Sequence, residues 1–200
     1  MSVPRPVVLA SGSPRRREIL ERLHIPCEVR PSRVAEVRGP GEAPADFATR
    51  AACDKATAVA EALVDRAPLP FVLGADTVVV VDDRVLGKPA DDDEAADMLR
   101  LLSGRWHEVI TAVALACGGE GVVEALAIPT AVRFRAASEA TLARYVATGE
   151  GRDKAGAYAV QGLGAGLVRA VHGSYENVVG LPAVETLELL ERHGALGDWP

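Results

Sequence analysis

Cysteine is scarce in this chain: Cys27, Cys53 and Cys117 stand far apart and are odd in number. No Cys-x-x-Cys pair and no His at metal-ligand spacing accompanies them, which argues against a disulfide framework or a structural zinc site. They are expected as buried or free thiols of a reducing cytoplasm. Basic excess is also missing, since 28 Asp and Glu outnumber 22 Lys and Arg for a net charge of −6. A polyanion such as nucleic acid is therefore not an expected partner. No run approaches the ~18 apolar residues that suggest a membrane span. Only the short apolar run Val7 to Ala10 precedes the first arginine cluster, so no signal peptide is expected.

Several familiar site motifs are lacking too. Gly162-Leu163-Gly164-Ala165-Gly166 lacks the third glycine of a dinucleotide loop, and it precedes an expected strand. The turn Gly12 to Arg17 has no Gly-Lys-Ser/Thr, which excludes a Walker loop. His107-Glu108 lacks a second His four residues after the first, and no Gly-x-Ser-x-Gly elbow surrounds Ser13. His24, His107, His172 and His193 have no evident carboxylate partner in sequence and read as structural or exposed.

What remains is a chain of ordinary composition, 48% apolar and 25% charged, whose 200 residues suit one domain over 1–200 with a sizeable core. Its most informative stretch runs from Leu9 to Leu20. Val7 to Ala10 suits a buried strand, Ser13 an N-cap, and Pro14 the first helical position. Arg15, Arg16 and Arg17 then fall in the first helical turn, where the helix dipole is positive and backbone N–H groups lack partners. Cations oppose that field, so the pattern implies either three solvated arginines or a turn that normally holds an anion such as a phosphate chain.

Further along, Cys27 to Arg30 is a candidate strand and 31–44 a polar loop carrying Glu36 and Glu42. A helix is predicted over 45–65, with Ala52, Ala56, Val59 and Leu63 on one face and Lys55 at its border. Phe71 to Val81 and Val85-Leu86, joined at Asp82-Asp83, read as a hairpin. A helix over 92–102, strands over 106–117 and 122–134, and a helix over 139–148 follow. Then come a glycine-rich segment over 151–166, a strand over 167–171, a turn at Gly173-Ser174-Tyr175 and a last helix over 182–193. Interleaved helices and strands with some antiparallel pairing make the class α/β.

Asp76 follows an apolar strand beside Gly74-Ala75, a position that suits a metal ligand, a general base or a simple turn cap. Lys88, between Gly87 and Pro89, and Lys154, beside Asp153, each read alone as exposed lysines. Taken with Lys55 and the arginines, they form a cation set in a net-acidic chain. Such a set would suit a triphosphate whose leaving group gathers charge.

The stretch Leu9-Ala10-Ser11-Gly12-Ser13-Pro14-Arg15-Arg16, with Glu18-Ile19-Leu20, resembles the opening signature of the Maf family. The likeness continues through Gly74-Ala75-Asp76-Thr77, Leu86-Gly87-Lys88-Pro89, Met98-Leu99 to Leu102-Ser103-Gly104, and His107-x-Val109-x-Thr111. It closes with Asp153 to Tyr158, Gln161-Gly162, Gly173-Ser174-Tyr175 and Gly180-Leu181-Pro182. These blocks keep family order over nearly the whole chain.

The resemblance implies an elongated mixed α/β sheet flanked by helices, with two lobes and a central cleft, similar to inosine triphosphate pyrophosphatases and often dimeric. It implies a cytoplasmic nucleoside triphosphate pyrophosphatase that cuts between the α- and β-phosphates and serves nucleotide-pool sanitation, with a link to septum formation. A divalent cation is implied, Mg²⁺ first and Mn²⁺ or Co²⁺ as substitutes. The family's proton acceptor falls on Asp76, and its phosphate-handling cations on Arg15, Arg16, Lys55 and Lys88, with Ser11 in the turn. Glu36 matches the metal-site glutamate by counting through a variable loop in which Glu28 and Glu42 compete. Arg15, Thr77 and Gln161 match the selectivity positions of the subgroup acting on dTTP and UTP, and Lys154 joins them in the substrate set. Arg17 is left as a surface residue. The expected partner is a small-molecule nucleoside triphosphate. The competing readings are a nucleotidyltransferase and a non-catalytic, nucleotide-binding regulator of division.

Overall fold

A computed structural model of the chain describes residues 5–196 and Trp199; the ends of the 1–200 domain expected from sequence lie outside the described residues. The order of elements is β1 (Val7–Leu9), α1 (Pro14–Arg22), β2 (Cys27–Val29), α2 (Pro44–Glu61), β3 (Phe71–Val81) and β4 (Arg84–Leu86). Then follow α3 (Asp92–Leu102), β5 (Trp106–Cys117), β6 (Gly121–Phe134) and α4 (Glu139–Ala147). Two short 3₁₀ turns (Ala155–Ala157 and Gly162–Gly166) precede β7 (Val168–His172), α5 (Tyr175–Val179) and α6 (Ala183–Arg192).

The strands form one mixed seven-stranded sheet in the order β2-β1-β3-β5-β6-β7, with β4 paired to β3. β1 runs parallel to both neighbours, Val7 opposite Cys27 on one side and Phe71 on the other. Central strands in such a sheet are covered on both faces, which is why β1, most of β3 and most of β5 read as unbroken apolar runs. The hairpin expected at Asp82-Asp83 is present: both residues are left-handed, as a type I′ turn requires, and Val80 pairs with Val85.

Contacts divide the chain into two compact units. The first comprises Met1–Asp76, Thr111–Ile128 and Gly180–Pro200; the second comprises Thr77–Ile110 and Pro129–Val179. In the first unit Val7 to Ala10, Ala52, Ala56, Leu73 and Ala75 are buried together with Ala112 to Cys117. α2 lies so close to β3 that a Cβ on Gly74 would stand 2.2 Å from the Ala52 carbonyl oxygen, so only glycine fits there. The second unit has its own core, in which Val79, Met98, Leu99, Leu102, Phe134, Leu142 and Tyr158 pack together.

Several boundaries differ from the sequence reading, most of them by a single residue. α2 stops at Glu61 rather than near 65, because the backbone then closes in turns from Leu63 to Ala60 and from Arg66 to Leu63. β7 is shifted by one residue to 168–172. The turn expected at Gly173-Ser174-Tyr175 instead opens the short helix α5. The Ser174 hydroxyl accepts from the Asn177 N–H at 3.1 Å and caps that helix.

Candidate active site

The turn between β1 and α1 is built around one side chain. Arg16, in the first turn of α1, is buried, and its Nε donates to the Gly180 carbonyl at 2.8 Å. Its Nη1 donates to Ser11 Oγ and to the Ala75 carbonyl, both at 2.9 Å. Ser11 Oγ also accepts from the Ser13 N–H at 3.3 Å, which tightens the turn. Ser13 is the N-cap residue of α1 by backbone, but its side chain makes no capping bond; the serine that binds the turn is Ser11. Burial pushes the Arg16 guanidinium down from its ordinary value, while Asp76 and Glu36 pull it back up. Arg16 is thus in large part a tie joining α1, β3 and the segment before α6. Arg15 is half-buried, and Arg17 is exposed in an ion pair with Glu21 at 3.1 Å.

Beside this turn lies a second ionic group. The buried face of α2 carries Lys55, only 7% exposed, and β3 carries Asp76, 4% exposed. Lys55 Nζ stands 2.7 Å from Asp76 Oδ1, 2.5 Å from Glu36 Oε1 and 3.4 Å from the Ala75 carbonyl. Three acceptors surround an ammonium with three protons, which is the condition for burying it. Burial holds the Asp76 carboxyl above the ordinary carboxylate range. Lys55 opposes that shift through its charge and hydrogen bond, and Glu36 adds to it. The carboxylate is fixed, desolvated and more basic than a surface aspartate.

The three candidate glutamates, Glu28 in β2 and Glu36 and Glu42 in the loop after it, are separated by this geometry. Glu42 is held by Arg50 at 2.7 and 2.9 Å and by the Gly39 N–H, and Glu28 pairs with Arg66 at 2.7 Å. Of the three, Glu36 is the one that pairs with Lys55.

Other residues named from sequence belong to the second unit. Thr77 follows Asp76 in β3 and is half-buried. Lys88 is exposed just after Gly87, whose carbonyl accepts from the Gly156 N–H at 3.0 Å, so its backbone lies against the segment that carries Lys154. Lys154 donates to the Glu150 carbonyl and pairs with Asp153. Gln161, half-buried, is the residue that precedes the second 3₁₀ turn.

Some partners were invisible to motif reading. The carbonyls of Ala75 and Gly180 act through the backbone, which leaves no side-chain signature. His193 meets Glu124, 69 residues away in sequence, at 2.8 Å. His107 is buried, with Nε2 2.8 Å from the Tyr158 hydroxyl and Nδ1 without a partner among the described residues.

Among the described residues no three His, Cys, Asp or Glu side chains gather as a metal cluster. Asp76 and Glu36 nonetheless bring two carboxylates to one cation, Lys55 Nζ. Mg²⁺ takes one or two carboxylates and fills its octahedron with water and phosphate oxygens, so this oxygen pair fits such an ion.

A mixed α/β sheet with a buried arginine, lysine and aspartate beyond the parallel pairing of β1 and β3 defines a protein that keeps a buried ionic group at the ends of its parallel strands. The family model described as "Maf-like protein" matches residues 6–193, and the chain belongs to the Maf family. A dTTP/UTP pyrophosphatase of Hahella chejuensis is 50% identical over 191 residues, covering 95% of this chain and 93% of its own. Proteins described in the same words from Anaeromyxobacter dehalogenans and Desulfotalea psychrophila are 48% and 44% identical, over 96% and 93% of this chain and the same shares of their own. Among solved structures, a HAM1 protein from Coxiella burnetii aligns over 65% of this chain and 73% of its own. The TM-score is 0.42 at 20% identity, too distant to weigh on the fold described above.

Proposed function

We propose that this chain is a nucleoside triphosphate pyrophosphatase acting on dTTP and UTP, with Asp76 as the base. The observation that carries this reading is the buried Lys55 ammonium, bonded at once to Asp76 and Glu36. Relatives 44–50% identical that align over nearly their whole length, described as dTTP/UTP pyrophosphatases, support the substrate class.

Asp76 takes a proton from the attacking water as the water oxygen bonds to the α-phosphorus. The α-phosphorus–oxygen bond toward the β-phosphate breaks, leaving a nucleoside monophosphate and pyrophosphate. Burial raises the affinity of Asp76 for that proton, and Lys55 fixes which oxygen faces the water. The shared Lys55 contact also ties the Glu36 loop to β3. Ser11 and Arg16 hold the turn after β1 in one shape, so that its backbone N–H groups and Arg15 face the phosphates. Lys88 is assigned to the leaving pyrophosphate by its place in the family pattern. A divalent cation held by Glu36 and Asp76 would supply charge neutralisation on the phosphates. Arg15, Thr77 and Gln161 are assigned to the pyrimidine, whose edge offers both donors and acceptors to an amide.

The test is pyrophosphate release from UTP, without a second substrate, by the wild type and Asp76→Asn. The variant is expected to lose about 10³-fold or more in kcat, in the range of a positioned general base, while circular dichroism stays unchanged. Retention of a tenth of the activity would remove Asp76 from this role. Release of monophosphate by water alone also separates a hydrolase from a nucleotidyltransferase, and turnover separates it from a binding regulator.

A further inference from the structure

Gln161 sits in a segment with little packing of its own. It is followed by Gly162-Leu163-Gly164-Ala165-Gly166, in which Leu163 is 64% exposed. Something else must hold its backbone, and the end of α4 does so. Two residues before Gln161, the Ala159 N–H donates to Tyr145 Oη at 3.1 Å. Just after it, the Leu163 and Gly164 N–H groups donate to Glu150 Oε1 and Oε2, at 2.9 and 2.8 Å. Tyr145 is buried in the second unit's core, which raises its phenol pKa, and the nearby Glu150 carboxylate raises it further.

The glycines show how close the approach is. A Cβ on Gly162, where φ is +63°, would lie 2.2 Å from Glu150 Oε1. One on Gly164 would lie 2.8 Å from Tyr145 Oη and 2.1 Å from the Ala159 carbonyl oxygen. The segment is glycine-rich because two side chains reach in to grip its backbone. Neither Tyr145 nor Glu150 belongs to the ionic site, and neither is explained by the core alone.

We propose that Glu150, with Tyr145, is a positioning pair that sets the pose of Gln161 and through it the discrimination between uracil and cytosine. This rests on the reading that Gln161 faces the base. Uracil presents a carbonyl acceptor beside an N–H donor, and cytosine the reverse. A carboxamide satisfies either one simply by turning over. Gln161 discriminates only if its backbone is held so that one orientation reaches the base. Glu150 supplies that constraint by fixing two backbone N–H groups on one side, and Tyr145 fixes one on the other.

The experiment measures kcat and KM for UTP and CTP in full-length wild type, Gln161→Ala, Glu150→Gln, Tyr145→Phe and the Glu150→Gln/Gln161→Ala double variant. Glutamine at 150 keeps the shape but loses one of the two carboxylate acceptors. It is expected to raise KM for UTP about tenfold, with kcat within about threefold, and to move the UTP/CTP ratio of kcat/KM toward that of Gln161→Ala. Tyr145→Phe, which keeps the ring in the core, is expected to act in the same direction by about threefold. The double variant should lose nothing beyond Gln161→Ala, the mark of two residues acting on one function. If Gln161→Ala alters the ratio but Glu150→Gln and Tyr145→Phe do not, the positioning pair is overturned while the Gln161 reading stands. An unaltered ratio in Gln161→Ala overturns both. A fall in kcat for both nucleotides with KM unchanged would mark Glu150 as merely structural and overturn the proposal as well.

Discussion

The two units bury different kinds of polar side chain. In the first, Arg16, Lys55 and Asp76 lie under 10% exposed, and they are all the buried charged residues among those described. In the second, the buried polar groups are His107, Thr130 and Asn177. His107 is kept neutral, since burial lowers its pKa from 6.5 to about 4. Buried charge is costly, and replacing it with apolar groups often stabilises a fold. A chain that keeps three such groups in one place gains something other than stability there. Buried neutral hydrogen bonds hold a shape at much smaller cost. On the proposed function, this contrast puts the general base and its ionic partners in the first unit, while the second supplies Lys88 and two of the residues assigned to the base of the nucleotide, Thr77 and Gln161.

The largest effect that tests this contrast comes from Lys55. Lys55→Met leaves the Asp76 carboxylate buried without its ammonium, and breaking a buried pair in this way costs about 3–5 kcal/mol. Pyrophosphate release from UTP should fall by roughly 10²–10³ in the same variant. Removing both charges, in Lys55→Met/Asp76→Leu, should recover much of the stability, read by urea unfolding, and none of the activity. A double variant no more stable than Lys55→Met would break the comparison, because the charges would then be needed by the fold itself.

The second unit should betray itself through acid. As pH falls through about 6.5, His107 gains a proton in the unfolded chain but stays neutral in the fold until about 4. Its contribution is constant above 6.5 and is lost progressively between 6.5 and 4. The loss amounts to about 3 kcal/mol at the lower end, by the conversion of pKa difference to free energy. Unfolding midpoints across that window, compared with those of the non-titrating His107→Gln, should show the variant's profile flatter. Equal slopes would mean that His107 is not held neutral by burial, and the second unit would lose its distinction.

How far the sequence went differs between the units for physical reasons. Local signals are strong where an element announces itself. The apolar run of β1, the N-terminal Pro14 and the Asp82-Asp83 turn all fell where expected, because each depends on neighbours in sequence. Lys55 and Asp76 were legible as residues, but their bond was not, and neither was the pairing of Lys55 with Glu36. Choosing among Glu28, Glu36 and Glu42 requires the path of loop 30–43, which carries no period. Arg16 read as a phosphate ligand, whereas its Nε and Nη1 are committed to the protein, one of them to Gly180, 164 residues away. The grip of Glu150 on the Gln161 segment was hidden for a related reason: its partners are backbone N–H groups, which every sequence contains.

The smallest effect tests whether the second unit's polar core is about shape. The Tyr158 hydroxyl meets His107 Nε2 at 2.8 Å, and the two rings pack edge-on with Phe134, at centroid distances of 5.0 and 4.7 Å. Tyr158→Phe keeps the ring and its packing and removes only the hydroxyl. His107 then has neither ring nitrogen partnered among the described residues, since Nδ1 already lacks one. A neutral hydrogen bond of this kind contributes about 1 kcal/mol, and a buried group left unsatisfied costs about 1–3 kcal/mol. The expected loss is therefore about 1–2 kcal/mol by urea unfolding, with kcat for UTP unchanged within about twofold. A loss of stability at the Lys55→Met level, or a collapse of kcat, would place this neutral pair on the same footing as the buried charges. The division of labour between the units would then have to be redrawn.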